Sequence, residues 1–225
     1  YNPSHLGGVF SNFIVDGVKE AELIKGAYNA EYGGRLSAVL NVISREGNKN
    51  QFKGKANLSL LSAQTTLEGP FYKGAWILSG RRTYFDLVLP KVLPAETAEN
   101  IPPYYFYDIQ GHVFSDLSPK DRFSLSYYSG IDDIFFDTFG LNGRWGNNTI
   151  SAHYRRVFNE KLVGNFLVAN SQFFTSFGLG GDNGLVSYNE IDDKTLSADF
   201  SWFKSSNSTL KFGAQLKKLG FEYTN

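Results

Sequence analysis

The chain has 225 residues and a mass of 25.1 kDa, with 22 basic and 22 acidic side chains, so it lacks the global positive field with which proteins hold nucleic acid. It contains no cysteine, which excludes a disulfide scaffold, a thiolate zinc site and a Cys nucleophile. It also contains no methionine, and Tyr1-Asn2-Pro3 has neither the charged start nor the apolar centre of a signal peptide, so we read the sequence as a stretch of a longer protein.

In chain order, the first 47 residues form a compact segment of short elements. Gly7-Gly8 and Gly33-Gly34 bracket Asp16 to Gly26, and a second apolar run, Leu36 to Ile43, ends at Ser44-Arg45-Glu46-Gly47. The polar joint Asn48-Lys49-Asn50 follows, and a domain boundary is expected there. From Gln51 onward, strand-like stretches recur between turn signals. Phe123 to Tyr127, Leu196 to Trp202 and Leu210 to Lys217 alternate apolar and polar residues with the period of two of a half-buried strand. Short turns are expected at Phe71-Tyr72-Lys73-Gly74, Ser118-Pro119-Lys120-Asp121, Asn159-Glu160-Lys161 and Ser205-Ser206-Asn207-Ser208, where Pro, Asn and Gly supply the backbone angles. Longer irregular links are expected between them, at about 84–103, 132–145 and 177–188. The count is about nine antiparallel strands, many longer than is usual in soluble sheets. The longest apolar runs are four residues or fewer, such as Ala75 to Leu78, so no helix can span a bilayer, whereas alternating strands of about 9–11 residues can. Aromatic residues at 16% and 23 glycines suit a membrane barrel, and they also suit a sandwich. Alternation of short turns with long links favours the barrel.

The run from Val18 to Gly47, VKEAELIKGAYNAEYGGRLSAVLNVISREG, resembles the end of the plug domain of TonB-dependent outer-membrane receptors. The likeness lies in an acidic and apolar strand ending in Lys-Gly, then Tyr-Gly, a small-residue stretch, and an Asn-Val-Ile strand. Phe52-Lys53-Gly54, Leu67-Glu68-Gly69-Pro70 and Ser79 to Tyr84 resemble the first barrel strands of the SusC-like subset found in Bacteroidetes-type outer membranes. The resemblance implies residues 1–49 as the C-terminal part of a small α+β plug and 50–225 as the N-terminal part of a transmembrane β-barrel. The class is then all-β, with about nine of about 22 strands present. It implies active import of a glycan, peptide or metal chelate, driven by the TonB complex through a region before Tyr1. The implied location is the bacterial outer membrane, with lipid, cargo and a surface lipoprotein as partners.

No residue set here carries covalent chemistry. There is no Gly-x-Ser-x-Gly elbow, and His5, His112 and His153 stand far apart, so neither a catalyst nor a cofactor is expected. His112 and His153 alternate with apolar strand residues and read as lumen or interface side chains. Asp132, Asp133 and Asp137, and Asp182, Asn183, Glu190, Asp192 and Asp193, gather oxygen ligands without EF-hand spacing and read as solvated loop carboxylates rather than calcium ligands. Glu31, Arg35, Arg45, Glu46 and Glu68 are expected at the contact of plug and barrel, with Arg35 facing Glu68. Arg81, Arg82 and Arg155 are candidates for the lumen or the substrate, one of each Arg-Arg pair pointing inward. Tyr104 to Tyr107, Tyr127-Tyr128, Phe135-Phe136 and Phe173-Phe174 are read as interfacial girdle residues. Leu196, Ala198, Phe200 and Trp202 are expected to face lipid. Two other classes stand beside the importer. A passive or structural barrel would lack a TonB box, and a soluble carbohydrate-binding β-sandwich would turn its apolar strand faces inward.

Overall fold

The computed structural model describes residues 4–26, 32, 38–98, 101–136, 140–180 and 184–225. The chain is all-β apart from short helical pieces. In the N-terminal part, β1 (Ser4–His5) pairs with β2 (Phe10–Ser11), and β3 (Val18–Ile24) pairs with β4 (Val39–Ser44), each as a separate antiparallel two-stranded sheet.

The remainder is one nine-stranded antiparallel meander in strict sequence order, not closed on itself. Its strands are β5 (Lys53–Leu58), β6 (Ser62–Phe71), β7 (Gly74–Thr83), β8 (Tyr104–Ser118), β9 (Asp121–Phe136), β10 (Leu141–Asn159), β11 (Leu162–Leu179), β12 (Leu185–Ser205) and β13 (Ser208–Thr224). Two-residue links join β6 to β7, β8 to β9, β10 to β11 and β12 to β13, at the four places marked by turn chemistry.

The opposite rim departs from the sequence reading. Asp132 to Phe136 and Leu141 to Trp145 continue β9 and β10 instead of forming a loop, and β11 and β12 likewise extend through Leu179 and from Leu185. Cross-strand neighbours explain this, because Ile134 stands opposite both Tyr104 and Gly143, and Phe177 opposite both Gly143 and Ser187. Aromatic and branched side chains in those pairs hold the ladder beyond the point where glycine content reads as loop. Glu190, Asp192 and Asp193 therefore lie on β12 and Asp132 and Asp133 on β9, not in loops; Asp137, Asp182 and Asn183 lie outside the described residues. The link after β7 contains α1 (Phe85–Val92) and the single turn α2 (Ala95–Ala98). Leu87-Val88-Leu89, inside the stretch expected as an irregular link at about 84–103, sit on this helix.

Register assigns the two faces. One row across the sheet runs Trp76, Val113, Leu125, Ala152, Val168, Leu196, Leu216, and a second runs Phe123, Tyr154, Phe166, Ala198, Ala214. Phe200 stacks on Phe212 two residues further along, and Trp202 stands opposite Leu210. These side chains share the face that no other described element covers, and Val168, Leu196 and Leu216 are 58%, 52% and 71% exposed. The band is slanted. On β8 it includes Ile109, but the row from Ile109 continues through Ser129, Asn148 and Gln172 to Asp192, so by β12 the apolar stretch has moved toward the two-residue turns.

The other face is polar. Thr66, Ser79, Asp108, Asp132 and Ser197 point to it and are buried. Its few buried apolar groups, Ala75, Ile77, Tyr104, Phe106 and Phe114, are confined to β7 and β8. The N-terminal segment lies against this face.

Candidate functional site

The site is the seam between the N-terminal segment and the polar face of β5 to β9. It is built from a tight turn upward. Between β1 and β2, Leu6, Gly7 and Gly8 have φ of 46°, 61° and 109°, a left-handed stretch that two glycines make accessible. This hairpin presents His5 to the sheet.

His5 is 1% exposed and sits between two carboxylates on neighbouring strands. Its Nδ1 is 2.7 Å from Asp132 Oδ2, and its Nε2 is 2.7 Å from Asp108 Oδ1. Asp108 also accepts hydrogen bonds from Arg81 Nε at 2.8 Å, Arg81 Nη2 at 2.5 Å and the Tyr128 hydroxyl at 2.8 Å. Asp132 accepts from the Tyr104 hydroxyl at 2.5 Å and from the Leu6 amide at 3.4 Å. Arg81 Nη2 returns to the segment and donates to the Ser11 carbonyl at 2.6 Å. The imidazole stacks on Phe106 at 4.0 Å and 5°, and Arg81 lies over the same ring at 4.9 Å. Phe10, Phe85 and Tyr104 complete an aromatic cover around Phe106, with α1 supplying Phe85. Burial works against charge on His5, but the hydrogen bonds and fields of Asp108 and Asp132 outweigh it and raise its pKa above the ordinary imidazole value.

Two further clusters continue the seam. Arg45 donates to both Glu68 oxygens at 2.9 and 3.0 Å and to the Asp16 carbonyl at 2.8 Å. The Asp16 carboxylate accepts from Lys55 and Gln64, each at 2.6 Å. Near the two-residue turns, Arg122 holds Glu46 at 2.8 Å and Asp116 at 2.6 Å, and Lys49 reaches Asp116 at 3.2 Å. At the joint, Gly47 has a φ of +84°, and a Cβ there would lie 2.3 Å from the Trp76 carbonyl oxygen, so the crossing from segment to sheet requires glycine.

The structure brings some sequence candidates together and separates others. Glu68 is taken by Arg45, and the expected pairing of Glu68 with Arg35 falls outside the described residues, as does Glu31. Arg81 faces the segment, whereas Arg82 points to the opposite face, where it pairs with Asp86 at 2.8 Å and covers the Tyr105 ring. Arg82 is thus not on the side of a lumen defined by the polar face, because adjacent strand residues alternate. Arg155 stands opposite Arg122 in register and shares its face. Of the residues read as girdle aromatics, Tyr104 and Phe106 instead form the buried bed of His5, and Tyr128 turns inward to Asp108.

Sequence reasoning missed His5, Asp108 and Asp132 as a unit. They are 103 and 127 positions apart, and only the strand register places them side by side. The two carboxylates approach opposite nitrogens of one ring and do not converge on a point, and among the described residues no group of three or more His, Cys, Asp or Glu is arranged for a metal ion. No family model, curated protein or solved structure matches the chain.

Proposed function

We propose that the nine-stranded sheet is part of the wall of a TonB-dependent importer in a bacterial outer membrane, and that the N-terminal segment is the end of its plug. The observation that supports this most directly is the polarity of the sheet. The face under the segment is polar and charged, and the uncovered face carries a continuous apolar band. A water-soluble sandwich is built the other way round. Burying one such side chain is worth about 1.5–3 kcal/mol, so a band of this size calls for a hydrocarbon cover. The slant of the band is what tilted strands crossing a flat apolar slab produce. Every strand from β6 to β13 has at least 10 residues, enough to cross the slab.

The segment on the polar face is held by discrete ion pairs and hydrogen bonds, with little apolar seal outside β7 and β8. Such contacts can be broken one after another by a pull, whereas an apolar plug would have to separate at once. Transport then needs no covalent step: cargo binds outside, TonB draws on a region preceding the segment, and the polar seam opens. The cargo class is a glycan, a peptide or a metal chelate.

The test is uptake by cells carrying the full-length gene, with and without TonB, across glycans, peptides and ferric chelates. Uptake of one cargo that vanishes without TonB supports the importer. Equal, size-limited leakage in both strains would replace it with a passive barrel, and recovery of the protein in the soluble fraction would refute both.

A further inference from the structure

The partners of His5 fix a proton count. A carboxylate oxygen only accepts, and a neutral imidazole has one donor and one acceptor nitrogen. Yet both ring nitrogens lie 2.7 Å from carboxylate oxygens, Nε2 on Asp108 and Nδ1 on Asp132. The other groups on Asp108, from Arg81 and Tyr128, are themselves donors and leave no acceptor for a protonated Asp108 to use. One additional proton must therefore be present. It sits on the ring or is shared along the bond from Nδ1 to Asp132, and the count is one in either case.

Charge gives the same answer. The groups facing His5 are Arg81 on β7, Asp108 and Tyr104 on β8, and Tyr128 and Asp132 on β9. Asp108 and Asp132 bring two negative charges and Arg81 one positive charge, with side-chain exposures of 0%, 2% and 12%. A second positive charge balances the cage, and burying these carboxylates without it is strongly unfavourable. The flat Phe106 ring beneath the imidazole adds a surface suited to a flat cation.

We propose that Asp108 and Asp132 form a binding site for a flat monocation, that its resident ligand is the imidazolium of His5, and that the N-terminal segment docks with uptake of one proton. This concerns docking alone and stands whether or not the protein transports cargo. The sign follows from the raised pKa of docked His5. The contribution to docking is complete below the ordinary value of 6.5 and is lost as pH rises through the raised value. Once the segment is withdrawn, the same carboxylates are left facing the polar side of the sheet, free to take an imidazolium or guanidinium group from another molecule.

The experiment is hydrogen exchange by mass spectrometry on the full-length protein in lipid nanodiscs, between about pH 5 and about pH 9, corrected for intrinsic exchange. Peptides covering residues 4–17 should lose protection by up to about tenfold per pH unit between the ordinary value of 6.5 and the raised value of docked His5 and level off above it, while peptides from β10 to β12 stay unchanged. His5→Gln should give weak, pH-independent protection of 4–17. His5→Gly should be equally weak and should be restored by added imidazole, but not by pyrazole, which has the same size and stays neutral. Flat wild-type protection across the range, His5→Gln as well protected as wild type, or no effect of imidazole with β10 to β12 intact would each overturn the proposal.

Discussion

Replacing Asp108 with Asn keeps the volume of the side chain and removes the charge on which the seam depends. In the native site Asp108 accepts two hydrogen bonds from Arg81, one from His5 and one from Tyr128. The amide retains one acceptor oxygen and gains two donors, which then face Arg81, His5 or the tyrosine hydroxyl. Removing one member of a buried ion pair costs about 3–5 kcal/mol. Loss of the His5 proton relieves part of this, so we expect about 3 kcal/mol, taken mainly from docking of β1 and β2. That corresponds to roughly a 150-fold larger open population. Proteolysis at limiting protease, where cleavage tracks the open population, reads it directly: cleavage within residues 4–17 should accelerate by about two orders of magnitude. Asp132→Asn should have a smaller effect, since Arg81 and Asp108 remain paired and His5 can become neutral. An Asp108→Asn rate within about threefold of wild type would refute the assignment of Asp108 as the anchor of the segment.

In the proposed membrane setting, Val168→Arg, at the centre of the uncovered band, should lower the folded yield by about 2–4 kcal/mol equivalent, whereas Ser171→Arg on the polar face should leave it nearly unchanged; urea titration of protein reconstituted in lipid distinguishes them. Arg45→Ala removes a pair whose arginine is 39% exposed, so its cost should be only about 0.5–1 kcal/mol, should shrink at high salt, and, in the proposed barrel, should appear as a modest rise in passive conductance. Gly47→Ala forces a side chain against the Trp76 carbonyl at a left-handed φ and should cost about 2 kcal/mol or more, measured as faster cleavage at the joint; a neutral effect would mean that the chain crosses to the sheet differently.

The strands of the sheet are readable from the sequence because each carries its own pattern. Leu196, Ala198, Phe200 and Trp202 share one face in the fold as their alternation demands. Of the four two-residue turns, two contain Pro119 or Ser206-Asn207, a third follows Asn159, and the fourth, Tyr72-Lys73, is flanked by Gly74 alone. Local signals failed where a neighbour decides the outcome. Asp132 reads as a loop carboxylate because Asp133 and Ile134 give it no local partner, yet Tyr104 and His5, distant in sequence, make it a buried strand residue. Helix α1 was hidden by Pro90 near its end and by an apolar triplet that suits either structure. His5 itself carries no local sign of its role beyond the glycines that follow it, since its function is set by two strands whose register is a property of the whole sheet.

Strand length has one more consequence. A strand of 21 residues, the length of β12, is roughly 70 Å long and, at a tilt of about 40°, roughly 50 Å tall, against a hydrocarbon slab of about 30 Å. The excess lies on the rim away from the two-residue turns, where β9 to β12 continue as hydrogen-bonded ladder. In the proposed membrane setting, a visitor from outside would first meet a stiff parapet rather than a fringe of loose chain. A surface of that kind gives up little conformational entropy when it engages a ligand, and it selects by fit to a fixed contour instead of by closing around whatever arrives.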